Sequence, residues 1–214
     1  MSSESGRAGG TRSWAVLGGC LAAVVASMVL LFTVPTGAFV AATFLSTSCM
    51  VVASLALGLR WRKVPSARAV VAGIASAAVL YLAFGAGDLG IRALHPLGIS
   101  PSSAASIYSL IVSPGNAAYI QVGVLLFDSA GYESFFRGVL QARLRPLLGP
   151  WGAPAVAAFD AAVHVVSMNP LWVATTFVAD LAWGLTFHYS GRLSASFVSH
   201  FVWDVTIFLL FPLR

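Results

Sequence analysis

Charge is what this chain has least of. Charged residues make up 9% of its 214 positions, hydrophobic ones 58%, and the mean hydropathy is +0.88. So few polar side chains cannot cover a water-soluble domain of this size, which excludes that class. Cysteine is scarce too: Cys20 and Cys49 both fall in apolar stretches with no CxxC spacing. Neither a disulfide framework nor a Cys metal pair is implied, and both read as packing residues. Residues 14–87 contain no Asp, Glu or His, so acid–base chemistry is not expected there. No internal repeat is evident.

What the chain does have is long apolar runs. Stretches of roughly 18 or more such residues predict membrane spans, and about seven are found: 14–34, 38–59, 67–87, 117–136, 151–167, 171–189 and 193–212. The predicted fold is an all-α, polytopic transmembrane helical bundle. The formal net charge of +5 does not point to nucleic acid, because the basic residues sit between spans. Arg7 and Arg12 precede the first, Arg60, Arg62, Lys63 and Arg68 separate the second from the third, Arg137, Arg143 and Arg145 follow the fourth, and Arg192 precedes the last. Every second connection is basic, which predicts a cytoplasmic N-terminus and an outside C-terminus; the expected location is integral to the cell inner membrane. The first run is too long for a signal-peptide core and is read as a retained span.

Polarity divides the chain into an N-terminal cytoplasmic tail (1–13), three scaffold helices (14–87), a loop or interfacial segment (88–116) and a helical core that carries the chemistry (117–214). Gly73, Ala75, Ser76 and Ala77 in the scaffold permit close helix packing. In 88–116, His95-Pro96, Ser100-Pro101 and Ser113-Pro114-Gly115 punctuate a short apolar piece, 104–112. That piece reads as an interfacial helix, a substrate-facing flap or a surface loop. The fourth helix is expected to run past its span and stop at Pro146.

Three pairs of ionisable residues four apart stand inside these spans: Glu133 with Arg137, Asp160 with His164, and His200 with Asp204. Four residues is about one helical turn, so each pair shares a face, and such groups at membrane depth mark sites. At ~1.5 Å per residue, Glu133 lies roughly 15 Å from the basic end of its helix, His200 about 10 Å and His164 roughly 15 to 20 Å from theirs. The depths of Glu133 and His200 overlap, and His164, deeper by this count, joins them if the 149–154 entry is interfacial, which places the expected site toward the half of the bilayer next to the basic connections. Each pair also has a structural reading: Glu133–Arg137 as an ion pair between helices, His164 as a satisfied core histidine. Asp128 and Asp180 are further acids within spans, and His188 reads as interfacial. Trp14, Trp61, Trp151 and Trp172 near span ends fit an aromatic belt.

Tyr132-Glu133-Ser134-Phe135-Phe136-Arg137-Gly138, Val163-His164 and Ser199-His200-Phe201-Val202-Trp203-Asp204 together resemble the CPBP (ABI) family of intramembrane proteases, related to the type II CAAX prenyl endopeptidases. That family's pattern is Glu-Glu-x-x-x-Arg, Phe-x-x-x-His and His-x-x-x-Asn/Asp on successive helices. The resemblance implies an endopeptidase acting on a membrane-inserted or membrane-anchored protein or peptide in the lipid bilayer. Its catalytic residues would be Glu133, His164, His200 and Asp204, supported by Arg137, Asp160 and Tyr132. A glutamic-type mechanism requires no cofactor; a metalloprotease-type one would use zinc. Two positions depart from the pattern: Tyr132 stands where the family has its first, water-activating Glu, and Asp160 where it has the aromatic of Phe-x-x-x-His. Another carboxylate, Asp160 first, is expected to substitute. The alternatives are a catalytically inactive homologue that binds peptides or acts as a scaffold, and a small transporter or proton relay.

Overall fold

The computed structural model describes residues 4–61, 65–94, 102–111 and 117–213. Arg62, Lys63, His95-Pro96, Ser100-Pro101, Ser113-Pro114-Gly115 and Arg214 lie outside them. Among the described residues all regular secondary structure is helical: α1 (Glu4–Leu31), α2 (Phe39–Ala56), α3 (Ala67–Leu94), α4 (Ser102–Ile111), α5 (Ala118–Glu133), α6 (Ala142–Leu148), α7 (Gly152–His164), α8 (Pro170–Ser190) and α9 (Leu193–Asp204). A π-helical stretch, Ser134–Gln141, joins α5 to α6 without a break, and a second, Val205–Leu210, prolongs α9. The predicted all-α membrane bundle is what the chain forms.

Among the described residues, four segments are long and apolar enough to cross a membrane unaided: Trp14–Leu31, Phe39–Ala56, Ala67–Ala93 and Leu193–Leu210. The other three expected spans correspond to α5 with its π stretch, α7 and α8; α5 and α7 are only 16 and 13 residues long as α-helices, and α8, of 21, carries Asp180 and His188. α3 passes the expected end at Gly87 and continues through Leu94, so Asp88 and Arg92 sit on its last turns, paired at 2.8 Å. The apolar piece after it is helical, as α4. Pro146 does not stop the fourth helix. It lies within α6, and the chain turns at Gly149, whose φ of 54° is open to a residue without Cβ. The proline deprives that turn of one N–H···O hydrogen bond, and the helix ends two residues later at Leu148. α8 starts at Pro170 behind Asn169, whose Oδ1 accepts from the N–H groups of Leu171 and Trp172 at 3.0 and 3.2 Å. It ends at Gly191, φ 63°.

α3 lies along α9, α7 along α8, α1 on α2, and α2 on α5. One apolar cluster joins α1, α2, the π stretch and α7 through Val24, Met28, Met50, Phe135, Phe136 and Val156. Cys20 and Cys49 pack against it as free thiols. A second joins α3, α4, α8 and α9 through Leu80, Tyr108, Trp183, Trp203 and Ile207. The two meet where Tyr132 faces Trp183, ring centroids 6.5 Å apart. Outside, Val52, Leu55, Val71, Val79, Leu82 and Leu89 are exposed, an apolar perimeter that suits lipid rather than water.

Lipid gives no hydrophobic drive between helices, so close approach at small residues has to supply the attraction. At Gly73 a Cβ would stand 2.7 Å from the Ala195 carbonyl oxygen, and at Gly131 one would stand 2.5 Å from Thr47 Cγ2. Gly85 has nothing within 4 Å of that position. Gly73→Ala is therefore expected to destabilise the bundle by about 1–3 kcal/mol through overpacking. Gly85→Ala should be neutral or stabilising by up to ~1 kcal/mol. Thermal unfolding of the two variants in detergent micelles checks the difference; equal melting temperatures would contradict the α3–α9 contact.

Candidate active site

The π stretch is where the polar residues turn inward. A π turn adds a residue to the helical turn and so rotates the following side chains, and such turns concentrate at functional sites. Ser134, Phe135, Phe136, Arg137, Val139, Leu140 and Gln141 are all buried. Arg137, at 0% exposure, donates from Nη1 to Asp180 Oδ2 at 3.2 Å, and from Nη2 to Asp180 Oδ1 and to the Asp180 carbonyl at 3.0 Å. Gln141 Nε2 donates to the Gly184 carbonyl at 2.8 Å, one turn further along both helices. α5 and its continuation are thus fastened to α8 by charge and by amide.

Glu133, also at 0% exposure, is the hinge between this ion pair and the histidine of α9. Its Oε1 lies 2.9 Å from His200 Nδ1, Ser196 Oγ donates to its Oε2, and Arg137 Nε stands 3.6 Å from Oε2. A carboxylate accepts only, so His200 Nδ1–H is the donor and the ring is held with Nε2 turned away. Nε2 comes 3.4 Å from Asp204 Oδ2, which also lies 3.3 Å from Ser129 Oγ, whose one proton is shared with the Leu125 carbonyl at 2.7 Å. Trp183 stacks flat on the His200 ring, centroids 3.5 Å apart at 12°. On α7, His164 Nδ1 donates to the Asp160 carbonyl at 2.9 Å, because a carbonyl can only accept. His164 Nε2 is left as the free ring nitrogen. Tyr132 Oη donates to Asp160 Oδ2.

A cavity of about 200 Å³ opens beside these groups. Asp128, Tyr132, His164, His200 and Asp204 line it; Glu133, Arg137, Asp160 and Asp180 do not. All three sequence pairs stand as contacts, and their members separate into a sealed inner layer and a cavity-facing one. The cavity also touches Leu31 at the end of α1, Phe39 at the start of α2, Ile111 of α4, Trp172 at the start of α8 and Leu209 beyond α9. Those helix ends are opposite the basic connections, where Arg143 donates to the Leu57 carbonyl at 3.0 Å. The depth count from the basic ends expected the nearer half. It went astray because Glu133 is sealed, and the open wall begins with Tyr132 and Asp128, further from Arg143. Trp172, expected in an aromatic belt, instead faces Phe32 at 5.0 Å and His164 at 6.3 Å. Trp14 and Trp151 are 50% and 72% exposed, as a belt requires. His188 touches Tyr189 and stands apart from the site.

Sequence reading passed over Ser129, Ser196, Trp183 and Thr47, and left Asp180 without a partner. The same four-residue spacing reaches the two serines, since Ser129 precedes Glu133 and Ser196 precedes His200 by one turn. Nothing in the pattern marks Trp183. Among the described residues no three His, Cys, Asp or Glu side chains are grouped to hold one metal ion. That donor set does not fit zinc, which takes three or four such ligands on one ion.

Residues 114–206 match the family described as Type II CAAX prenyl endopeptidase Rce1-like. The matched segment includes every cavity-lining acid and histidine named above and the resemblance read from the three motifs is shown by it. No curated protein and no solved structure matches the chain.

Removing one partner of a buried ion pair strands the other charge, whereas replacing Asp180 and Arg137 together leaves only Glu133, which keeps His200 and Ser196 as partners. Asp180→Ala is expected to lower stability by about 3–5 kcal/mol. The double variant Asp180→Leu with Arg137→Met should be less damaged than Asp180→Ala. Unfolding temperatures in detergent compare them, and a double variant no better than the single one would contradict the pairing.

Proposed function

Because residues 114–206 match the family described as Type II CAAX prenyl endopeptidase Rce1-like, we propose that this protein is an intramembrane endopeptidase, hydrolysing a peptide bond in a membrane-inserted or membrane-anchored protein or peptide. One observation carries the reading: side chains from three separate helices, Tyr132 of α5, His164 of α7 and His200 with Asp204 of α9, line one cavity set in an apolar bundle. An apolar peptide can fill the Trp172 and Phe39 side of that cavity, while water is held on its polar side.

The roles follow from which atoms are spent. His164 Nε2 can accept a hydrogen bond from the water and orient it. His200 Nε2 and Asp204 Oδ2, 3.4 Å apart, would repel unless a proton lies between them. A proton on Nε2 can be offered to the oxygen of the scissile carbonyl as negative charge develops there. Trp183, flat against the ring, and Glu133 behind it fix the direction of that donor. Glu133 does not reach the cavity, so it is a positioning residue acting through His200. With the basic connections in the cytoplasm, the cavity opens to the non-cytoplasmic half of the bilayer, where cleavage would fall.

A catalytically inactive, peptide-binding homologue remains the rival, and Tyr132 is the observation that favours it. On that reading Tyr132→Glu should create activity. Tyr132 Oη donates to Asp160, however, and a carboxylate there would face another carboxylate at 0% exposure. Tyr132→Glu is expected to lower stability by a few kcal/mol without any gain of activity.

Proteolysis itself is tested by mass spectrometry of membrane-protein termini in cells carrying wild type, a deletion, or His164→Ala at equal expression. Termini present only with wild type are expected. Identical termini in wild type and His164→Ala, with a defect confined to the deletion, would replace the peptidase by the binding protein.

A further inference from the structure

We propose that Asp128 is the general base that activates the hydrolytic water, an assignment that rests on the peptidase reading above. Hydrolysis needs a carboxylate that opens on the cavity, has an oxygen to spare and is held in a fixed direction. Five buried or half-buried acids stand on α5, α7, α8 and α9. Glu133 has both oxygens engaged, by His200 and Ser196, and is absent from the cavity wall. Asp180 is spent on Arg137. Asp160, the first substitute expected from sequence, is at 0% exposure behind Tyr132 and does not line the cavity. Asp204 lines it with Oδ1 to spare, but it is 5% exposed, its Oδ2 faces His200 Nε2, and the one proton of the Ser129 hydroxyl 3.3 Å away is shared with the Leu125 carbonyl at 2.7 Å.

Two of these acids, Asp128 and Asp204, line the cavity, and Asp128 is the more open of them and the one with a hydroxyl donor to itself. It is half-buried and lines the cavity with His164 and His200. Thr47 Oγ1 donates to its Oδ1 at 2.6 Å, which fixes the carboxylate plane. Its Oδ2 accepts no hydrogen bond from any described residue. Thr47 is itself at 0% exposure, pinned where α2 meets Gly131 of α5. Asp128 precedes Tyr132 by four residues, so it shares that face of α5 and stands about 6 Å along the axis. Tyr132 has meanwhile turned its hydroxyl to Asp160. The water-activating carboxylate has moved one turn along the same helix face.

The step balances as follows. Asp128 Oδ2 takes a proton from water as the water oxygen bonds to the scissile carbonyl carbon, and the C=O π electrons pass to the carbonyl oxygen beside His200 Nε2–H. The tetrahedral anion then collapses, the C–N bond breaks, and the amine nitrogen takes the proton back from Asp128. One water is consumed, and a carboxylic acid and an amine are released.

The test is the yield of the wild-type-dependent membrane-protein termini in cells making the full chain, with membrane accumulation matched. Asp128→Asn is expected to cut them at least about 100-fold, the loss that removal of a general base brings, while Asp128→Glu retains a measurable fraction. Thr47→Val keeps the carboxylate and removes its orienting hydrogen bond. It should reduce the termini severalfold at full accumulation, and it keeps the assignment testable if Asp128→Asn does not accumulate. Wild-type yields from Asp128→Asn, or from Thr47→Val where Asp128→Asn is absent, would overturn Asp128 as base. If His164→Ala abolishes the termini in the same experiment, the peptidase reading survives that result. Absence of any wild-type-dependent terminus would overturn the peptidase and the Asp128 assignment together.

Discussion

Arg137 donates to Asp180 through both terminal nitrogens and stands 3.6 Å from Glu133, all three side chains at 0% exposure. A guanidinium cannot shed its charge in a protein and is expensive in an apolar surround without anions beside it. Its presence therefore dictates where the two carboxylates must be, and through them the rest. Asp180 fixes α8 against the π stretch. Glu133, held on the other side, fixes His200 through Nδ1, and His200 fixes what Nε2 can do. The ion pair is a weak source of stability when weighed against an apolar core. Its contribution is direction: it sets the register of three helices around one imidazole.

Around that centre, the bundle uses the packing available in lipid. Gly73 and Gly131 let backbones approach to distances that a Cβ would forbid, and hydroxyls bridge helices where a side chain must be polar. Ser199 Oγ donates to Ser76 Oγ at 2.9 Å, and Ser76 meets Thr186 Oγ1 at 2.7 Å, so α3, α8 and α9 share one chain of hydroxyls. The scaffold helices are not chemically idle in this sense. Thr47 of α2 lies in a stretch without any acid or histidine, yet it holds Asp128 by its carboxylate. A residue can take part in a site by supplying one proton donor, and hydroxyls supply one at little desolvation expense.

Much of this was legible in the residues. The scarcity of charge fixes the class, and the apolar runs give the helices to within a few residues, because a membrane leaves a chain few ways to satisfy its backbone. The four-residue pairs name the side chains that meet within one helix, because helical geometry is local. What sequence does not show is the partner across helices. Asp180 is visible as an acid in a span, but that it answers Arg137 depends on how α8 sits against the π stretch. Nor does the pattern say which side of a helix is sealed. Glu133 and Asp128 read alike as intramembrane carboxylates, and only the fold closes one and opens the other. Pro146 and Trp172 were misplaced for a related reason: local propensity and distance to a span end were overruled by Gly149 and by the cavity.

The separation of sealed and open groups is itself an argument about what the arrangement can do. In the inner layer the hydrogen-bonding capacity of Glu133 and Asp180 is taken up: each holds a neighbour and neither faces space. In the outer layer each group has one side fixed and one side free: His164 by the Asp160 carbonyl, His200 by Glu133, Asp128 by Thr47. Buried atoms without a hydrogen-bond partner also occur away from the cavity, at Arg137 Nε, Gln141 Oε1 and Asp160 Oδ1, each at an expense of about 1–3 kcal/mol, so what sets the outer groups apart is that their open side faces a cavity. Groups that are oriented yet unsatisfied, gathered on one cavity wall, are the form that preorganised chemistry takes. The rigidity comes from the charge pairs behind the wall, and the reactivity from what those pairs leave open in front of it.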